Sequence, residues 1–211
     1  MAEEKGISEL GFRSCIDTMA DIIGENGKNS ILRYAGLQDY ITNPPGYSLE
    51  AIVTPNSIIT RFFKGVREIM GDKGYDTIMY RAGIETARVV VDHVPEFQSL
   101  IAMDLDPKEK IKFAYFGYVS ASKDDPEKTL EFHLDQNEVI MHFGECNECW
   151  EIVGGGEGLS EFSKSSCSYV RGLVQQVAGV MREVAAASCK EETCRMRGAD
   201  ECRFRITFEL K

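Results

Sequence analysis

One stretch of this chain repeats. Ile22-Ile23-Gly24-Glu25-Asn26-Gly27-Lys28-Asn29-Ser30-Ile31-Leu32-Arg33-Tyr34-Ala35-Gly36-Leu37 aligns without gaps, at an offset of 47, on Ile69-Met70-Gly71-Asp72-Lys73-Gly74-Tyr75-Asp76-Thr77-Ile78-Met79-Tyr80-Arg81-Ala82-Gly83-Ile84, with six of sixteen positions identical. A repeat at such a period signals a duplicated supersecondary unit. The shared glycines, Gly24/Gly71 and Gly27/Gly74, predict a helix end and a turn into the next helix, and the shared Ala-Gly pairs predict close helix contact. Two related helix-turn-helix units follow, over residues 15–40 and 62–87, packed on each other or across a homodimer interface. Asn43-Pro44-Pro45-Gly46 separates them as a loop, and Thr54-Pro55-Asn56-Ser57 reads as a helix start. The first 95 residues are expected to be mainly helical.

Beyond residue 110 the pattern changes. Phe113, Tyr115, Phe116 and Tyr118 are β-formers, and 130–134 and 139–143 alternate, with 135–138 as a hairpin link. Gly154 to Gly158 read as a loop. Phe162, Tyr169, Leu173, Val177, Val180, Met181 and Val184 recur at helical spacing and predict one long amphipathic helix reaching Ala187. Cys189 to Met196 and Glu201 to Leu210 then alternate around Arg197-Gly198-Ala199-Asp200, a closing hairpin. The order predicts an α+β fold: a helical N-terminal half, an antiparallel β meander, a long helix and a closing hairpin. Residues 1–60 are read as an N-terminal helical unit and dimerisation element, and 61–211 as a ligand-binding domain.

Composition excludes several function classes. Lys+Arg 24 against Asp+Glu 34 gives a net charge of −10, which disfavours nucleic acid. Apolar runs are broken well before 18 residues and the first residues carry no apolar signal core, so neither a membrane span nor a secretory leader is expected. Six of the seven cysteines follow residue 145, a local metal or redox pattern rather than a secreted disulfide framework, which points to a cytoplasmic protein. The glycine run lacks a P-loop lysine, and no Ser/His/Asp order, HExxH or carboxylate pair suggests catalysis.

Three cysteines stand where chemistry is expected. Cys194 and Cys202 flank a hairpin turn, Cys167 precedes them on a helix, and Glu191-Glu192 lie just before Cys194; thiolates plus one carboxylate suit a tetrahedral zinc. The competing reading makes Cys167 a buried small hydrophobe, since Val170 and Val174 share its apolar face. Cys146-Asn147-Glu148-Cys149 is a second pair that, with Cys189 and His142, could hold another metal or work as a dithiol, or could be plain reduced thiols. His133 and His142 fall on adjacent strands and read as surface or polar filling. Cys15 reads as core.

Cys167-Ser168-Tyr169-Val170-Arg171-Gly172, Glu191-Glu192-Thr193-Cys194, the seven-residue spacer with Gly198, and Cys202-Arg203-Phe204 together resemble the C-terminal signature of the 4-vinyl reductase domain, or hydrocarbon-binding, family. Ile78-Met79-Tyr80-Arg81-Ala82-Gly83 and the doubled helical unit extend the resemblance over about residues 20 to 210. It implies a place in the superfamily of ligand-binding domains of nitric-oxide sensing and Golgi transport, with a structural zinc at Cys167, Cys194, Cys202 and a glutamate. Family spacing selects Glu191 as that glutamate, whereas strand alternation puts Glu192 on the Cys194 face. The implied function is a sensor or carrier for a hydrophobic or aromatic small molecule, acting as a homodimer or through a partner. Tetrapyrrole metabolism and an assembly role are the alternatives. Phe116, Phe132, Phe143 and Tyr169 are the candidate ligand contacts, set among further aromatics that include Trp150.

Overall fold

The computed structural model describes residues 6–48, 54–121, 125–144 and 167–211. Cys146, Cys149, Trp150, Phe162 and the glycine run at 154–158 lie outside the described residues. The fold is α+β. Helices α1 (Glu9–Tyr34), α2 (Asp39–Thr42), α3 (Asn56–His93), α4 (Pro95–Ala102) and α5 (Pro107–Ala121) fill the N-terminal half. A short strand pair, β1 (Gly6–Ile7) and β2 (Thr54–Pro55), joins the starts of α1 and α3. Then come α6 (Pro126–Thr129), β3 (Leu130–His133), β4 (Glu138–Phe143), α7 (Ser168–Gly179), β5 (Val184–Thr193) and β6 (Cys202–Leu210). The last four strands form one antiparallel sheet in the order β3-β4-β6-β5.

The duplicated glycines are bends within two long helices. Gly24 has φ 75°, ψ 164° and Gly71 has φ 69°, ψ 172°, each a single non-helical residue inside α1 and α3. Only glycine adopts that region without strain, which is why both repeats keep it. The two units do pack together: Phe12 of α1 meets Phe62 of α3 edge to face at 5.2 Å, and a side chain at Gly65 would crowd Ala35 Cβ at 3.1 Å.

Two expected elements differ. Phe113, Tyr115, Phe116 and Tyr118 lie in α5, not in a strand. Ile111, Ala114, Tyr115 and Val119 are its buried apolar residues, at i, i+3, i+4 and i+8, so helical periodicity toward the core overrides the β preference of the aromatics. The long helix also stops early: α7 ends at Gly179, and Val184 begins β5 instead of continuing the helix. Val184-Ala185-Ala186-Ala187 favours helix locally. Pairing with Leu210, Glu209 and Phe208 of β6 decides otherwise.

The sheet has two different faces. Leu130, Val139, Met141, Phe204, Ile206 and Phe208 are buried in the core with α5 and α7, where the Tyr115 hydroxyl donates to the Val174 carbonyl at 2.7 Å. The opposite face carries charge. His142 lies between Glu201 (2.8 Å) and Glu131 (2.9 Å), and Arg205 reaches Glu138 and Glu192.

Candidate metal centre

Three elements converge at one corner. Cys167 is the residue before α7, Cys194 follows β5, and Cys202 opens β6. Their sulfurs lie within 4.8 Å of one another, and Cys167 Sγ is 3.9 Å from Cys194 Sγ. All three side chains are buried. A tetrahedral ion with sulfur ligands at about 2.3 Å needs sulfurs about 3.8 Å apart. The spacing of these thiols therefore fits one metal ion.

The turn between Cys194 and Cys202 brings their two sulfurs to the same corner. Arg195–Arg197 form one turn of 3-10 helix, the Cys194 carbonyl accepts from the N–H groups of Arg197 (2.9 Å) and Ala199 (3.2 Å), and Gly198 takes φ 89°. This folds the chain back so that the Arg195 N–H donates to Cys202 Sγ at 3.4 Å. Backbone donors at sulfur favour the thiolate form a metal requires. The Arg195 guanidinium also donates to the Gly144 carbonyl just beyond β4.

Glu191, not Glu192, faces this corner. Simple alternation fails because β5 is bulged: Glu191 opposes Phe204 and Thr193 opposes Arg203, so two steps on β5 match one on β6. The extra residue, Glu192, turns to the charged face and pairs with Arg203 and Arg205. Glu191 stays inside with a side chain only 4% exposed. Its Oε1 accepts from the Cys167 N–H at 3.4 Å and its Oε2 pairs with Arg197. Burial first, and the neighbouring Cys194 second, push its carboxyl up to about 7. A divalent cation here would hold it ionised.

The aromatic candidates are spread over more than one contact. Phe116 of α5 and Phe132 of β3 stack, with centroids 5.7 Å apart and planes at 13°. Phe143 is half-buried on the same sheet face but meets Phe204 edge to face at 5.8 Å. Tyr169 sits in the α3–α7 interface, its hydroxyl donating to Thr86 Oγ1 at 3.1 Å. Cys189 packs against the core from β5, and burial pushes its thiol up to about 12. The sequence gives Arg195 and Arg197 no role, and it brings in Phe204 only as the last residue of the family signature. The Cys-x7-Cys spacing was the only signal that could have drawn attention to the two arginines.

No protein-family model matches the chain, and no curated protein does. Solved structures do match. An H-NOX protein from S. oneidensis in the Fe(II)NO ligation state superposes with a TM-score of 0.59 at 12% identity, over 96% of this chain and 99% of that one. An H-NOX structure that probes heme distortion gives 0.58 at 13%, over 97% and 95%. A point mutant of T. Tengcongensis H-NOX gives 0.56 at 14%, over 96% and 98%. At such identities the likeness is one of architecture, and it spans nearly the whole length of both chains: the protein has the fold of the H-NOX domains.

Proposed function

We propose that this protein is a small-molecule-binding sensor or carrier domain of the 4-vinyl reductase type, held together by a structural zinc at Cys167, Glu191, Cys194 and Cys202. The observation that carries the reading is the buried three-cysteine corner within an H-NOX-like fold. Zinc would supply a cross-link there and no chemistry, since four protein ligands leave no position for water or substrate. It would tie the start of α7 to β5 and β6, and so fix the helix against which the inner sheet face packs. A reducing, cytoplasmic setting would keep the thiolates available, and residues 1–60 would supply a homodimer contact.

Haem, the group named for one of the H-NOX structures, finds no histidine placed to hold its iron here, although histidine is one of the usual axial ligands. His133 and His142 lie on the charged face of the sheet, and His93 is exposed in the last turn of α3. None of the three histidines of the chain faces the core. The proposed ligand is instead an apolar molecule seated beside the stacked Phe116–Phe132 pair, where half-buried Phe143 and Leu134 also offer apolar surface.

The test is mass spectrometry of small molecules released from protein purified under native conditions, followed by titration with a solvatochromic hydrophobic dye. A retained apolar compound that competes with the dye, with binding weakened by Phe132→Ala, supports the reading. A retained tetrapyrrole would move the assignment toward tetrapyrrole metabolism. An empty protein that binds no dye contradicts the ligand-binding reading.

A further inference from the structure

We propose that Arg197 is the positioning residue of the metal centre: its guanidinium holds Glu191 as a one-oxygen donor and offsets the negative charge of the site, and so sets how long the metal stays bound. The inference rests on the reading of Cys167, Glu191, Cys194 and Cys202 as zinc ligands.

Arg197 covers Glu191 from outside. The Glu191 side chain is 4% exposed and that of Arg197 46% exposed, so the arginine reaches in from solvent over a carboxylate that water hardly touches. Its origin is fixed, because the Arg197 N–H donates to the Cys194 carbonyl and the left-handed Gly198 follows. The ion pair occupies Glu191 Oε2 while Oε1 lies against the N–H of Cys167, itself a sulfur donor to the site. One oxygen is thereby tied to the arginine. The other accepts from the Cys167 N–H, at the edge of a cluster whose mutually close ligand atoms are the three sulfurs alone.

Charge makes the same arginine matter for retention. Three thiolates and one carboxylate carry four negative charges, a divalent ion leaves two, and a guanidinium in contact leaves one. An anionic buried centre is costly unless such a partner stands beside it. Residues that orient and neutralise ligands from behind typically change metal affinity by about 10–100-fold.

The experiment follows zinc release from the full-length protein to a chromophoric chelator, for wild type, Arg197→Ala and Arg197→Lys, with unfolding midpoints of each metal-free form measured in parallel. The expected result is release about 10–100-fold faster in Arg197→Ala, an intermediate rate in Arg197→Lys, which keeps the charge without the planar fork, and unchanged metal-free midpoints. Wild-type release rates in Arg197→Ala would overturn the inference, as would metal-free destabilisation that accounts for the faster release. Wild-type protein that takes up no zinc at all would instead remove the zinc reading, a different and separately visible failure.

Discussion

Gly83 of α3 and Gly172 of α7 face each other with no side chain between the two backbones. A Cβ at Gly83 would lie 2.0 Å from the Tyr169 carbonyl oxygen, and one at Gly172 would lie 2.0 Å from the Tyr80 carbonyl oxygen. The contact is reciprocal, so neither helix can absorb a methyl group by moving a side chain. It lets flanking polar pairs close: Ser168 donates to Asp76 at 2.7 Å and Tyr80 to Gln175 at 2.7 Å. Since Cys167 immediately precedes α7, this crossing also sets where that candidate ligand stands.

Gly83→Ala and Gly172→Ala are each expected to destabilise by about 1–3 kcal/mol or more, because backbone must move to admit the methyl. Gly117→Ala in α5 is expected to act oppositely. Its added Cβ would meet only Phe97 Cζ, at 3.9 Å, and the exchange gains about 0.5–1 kcal/mol of helix propensity. Denaturant midpoints of the three variants check both signs.

Gly24→Ala and Gly71→Ala test a different cost. Nothing lies within 4 Å of either added Cβ, so any loss is purely conformational. Each is expected to cost about 1–3 kcal/mol, the strain of a non-glycine residue held at such φ and ψ. Equal midpoints for variants and wild type would mean that the bends are not required.

Lys110 carries a pH prediction. Its side chain is 4% exposed and Nζ donates to Glu183 (2.6 Å) and to the Ile101 carbonyl (3.2 Å), joining α4 and α5 to the turn before β5. The Lys110 bond holds the Glu183 carboxyl below its ordinary value. A carboxyl depressed in the folded state adds stability above its unfolded pKa, about 4.3, and that stability is lost as pH falls through the folded value. Lys110→Met should lower stability at pH 7 by about 1–3 kcal/mol and flatten the acid limb below pH 4.5. An acid limb identical to that of wild type would show that the pair contributes nothing there.

How much of this could be read from the sequence depended on whether local or distant neighbours decide. The Gly24/Gly71 correspondence was visible because a backbone requirement recurs at the same place in two copies. The alternation of 130–134 and 139–143 was visible because one sheet face is apolar and the other charged. By contrast, the aromatics of α5 favour a strand locally, and the core that makes it a helix lies far away in sequence. Val184 to Ala187 shows the converse, a locally helical stretch that pairing with β6 makes a strand. The cysteine triad shows in its spacing, and family spacing points to Glu191, but why alternation fails there rests on the bulge at Glu192, a property of how β5 pairs with β6.

The central claim is that one zinc ion sits among Cys167, Cys194, Cys202 and Glu191, and zinc K-edge X-ray absorption on the purified protein tests it most directly. The account predicts one zinc per chain with three sulfurs at about 2.3 Å and one oxygen at about 2.0–2.2 Å, a shell that loses sulfur, or the metal altogether, in Cys194→Ser. Protein without stoichiometric zinc, or zinc surrounded only by nitrogen and oxygen, would contradict it.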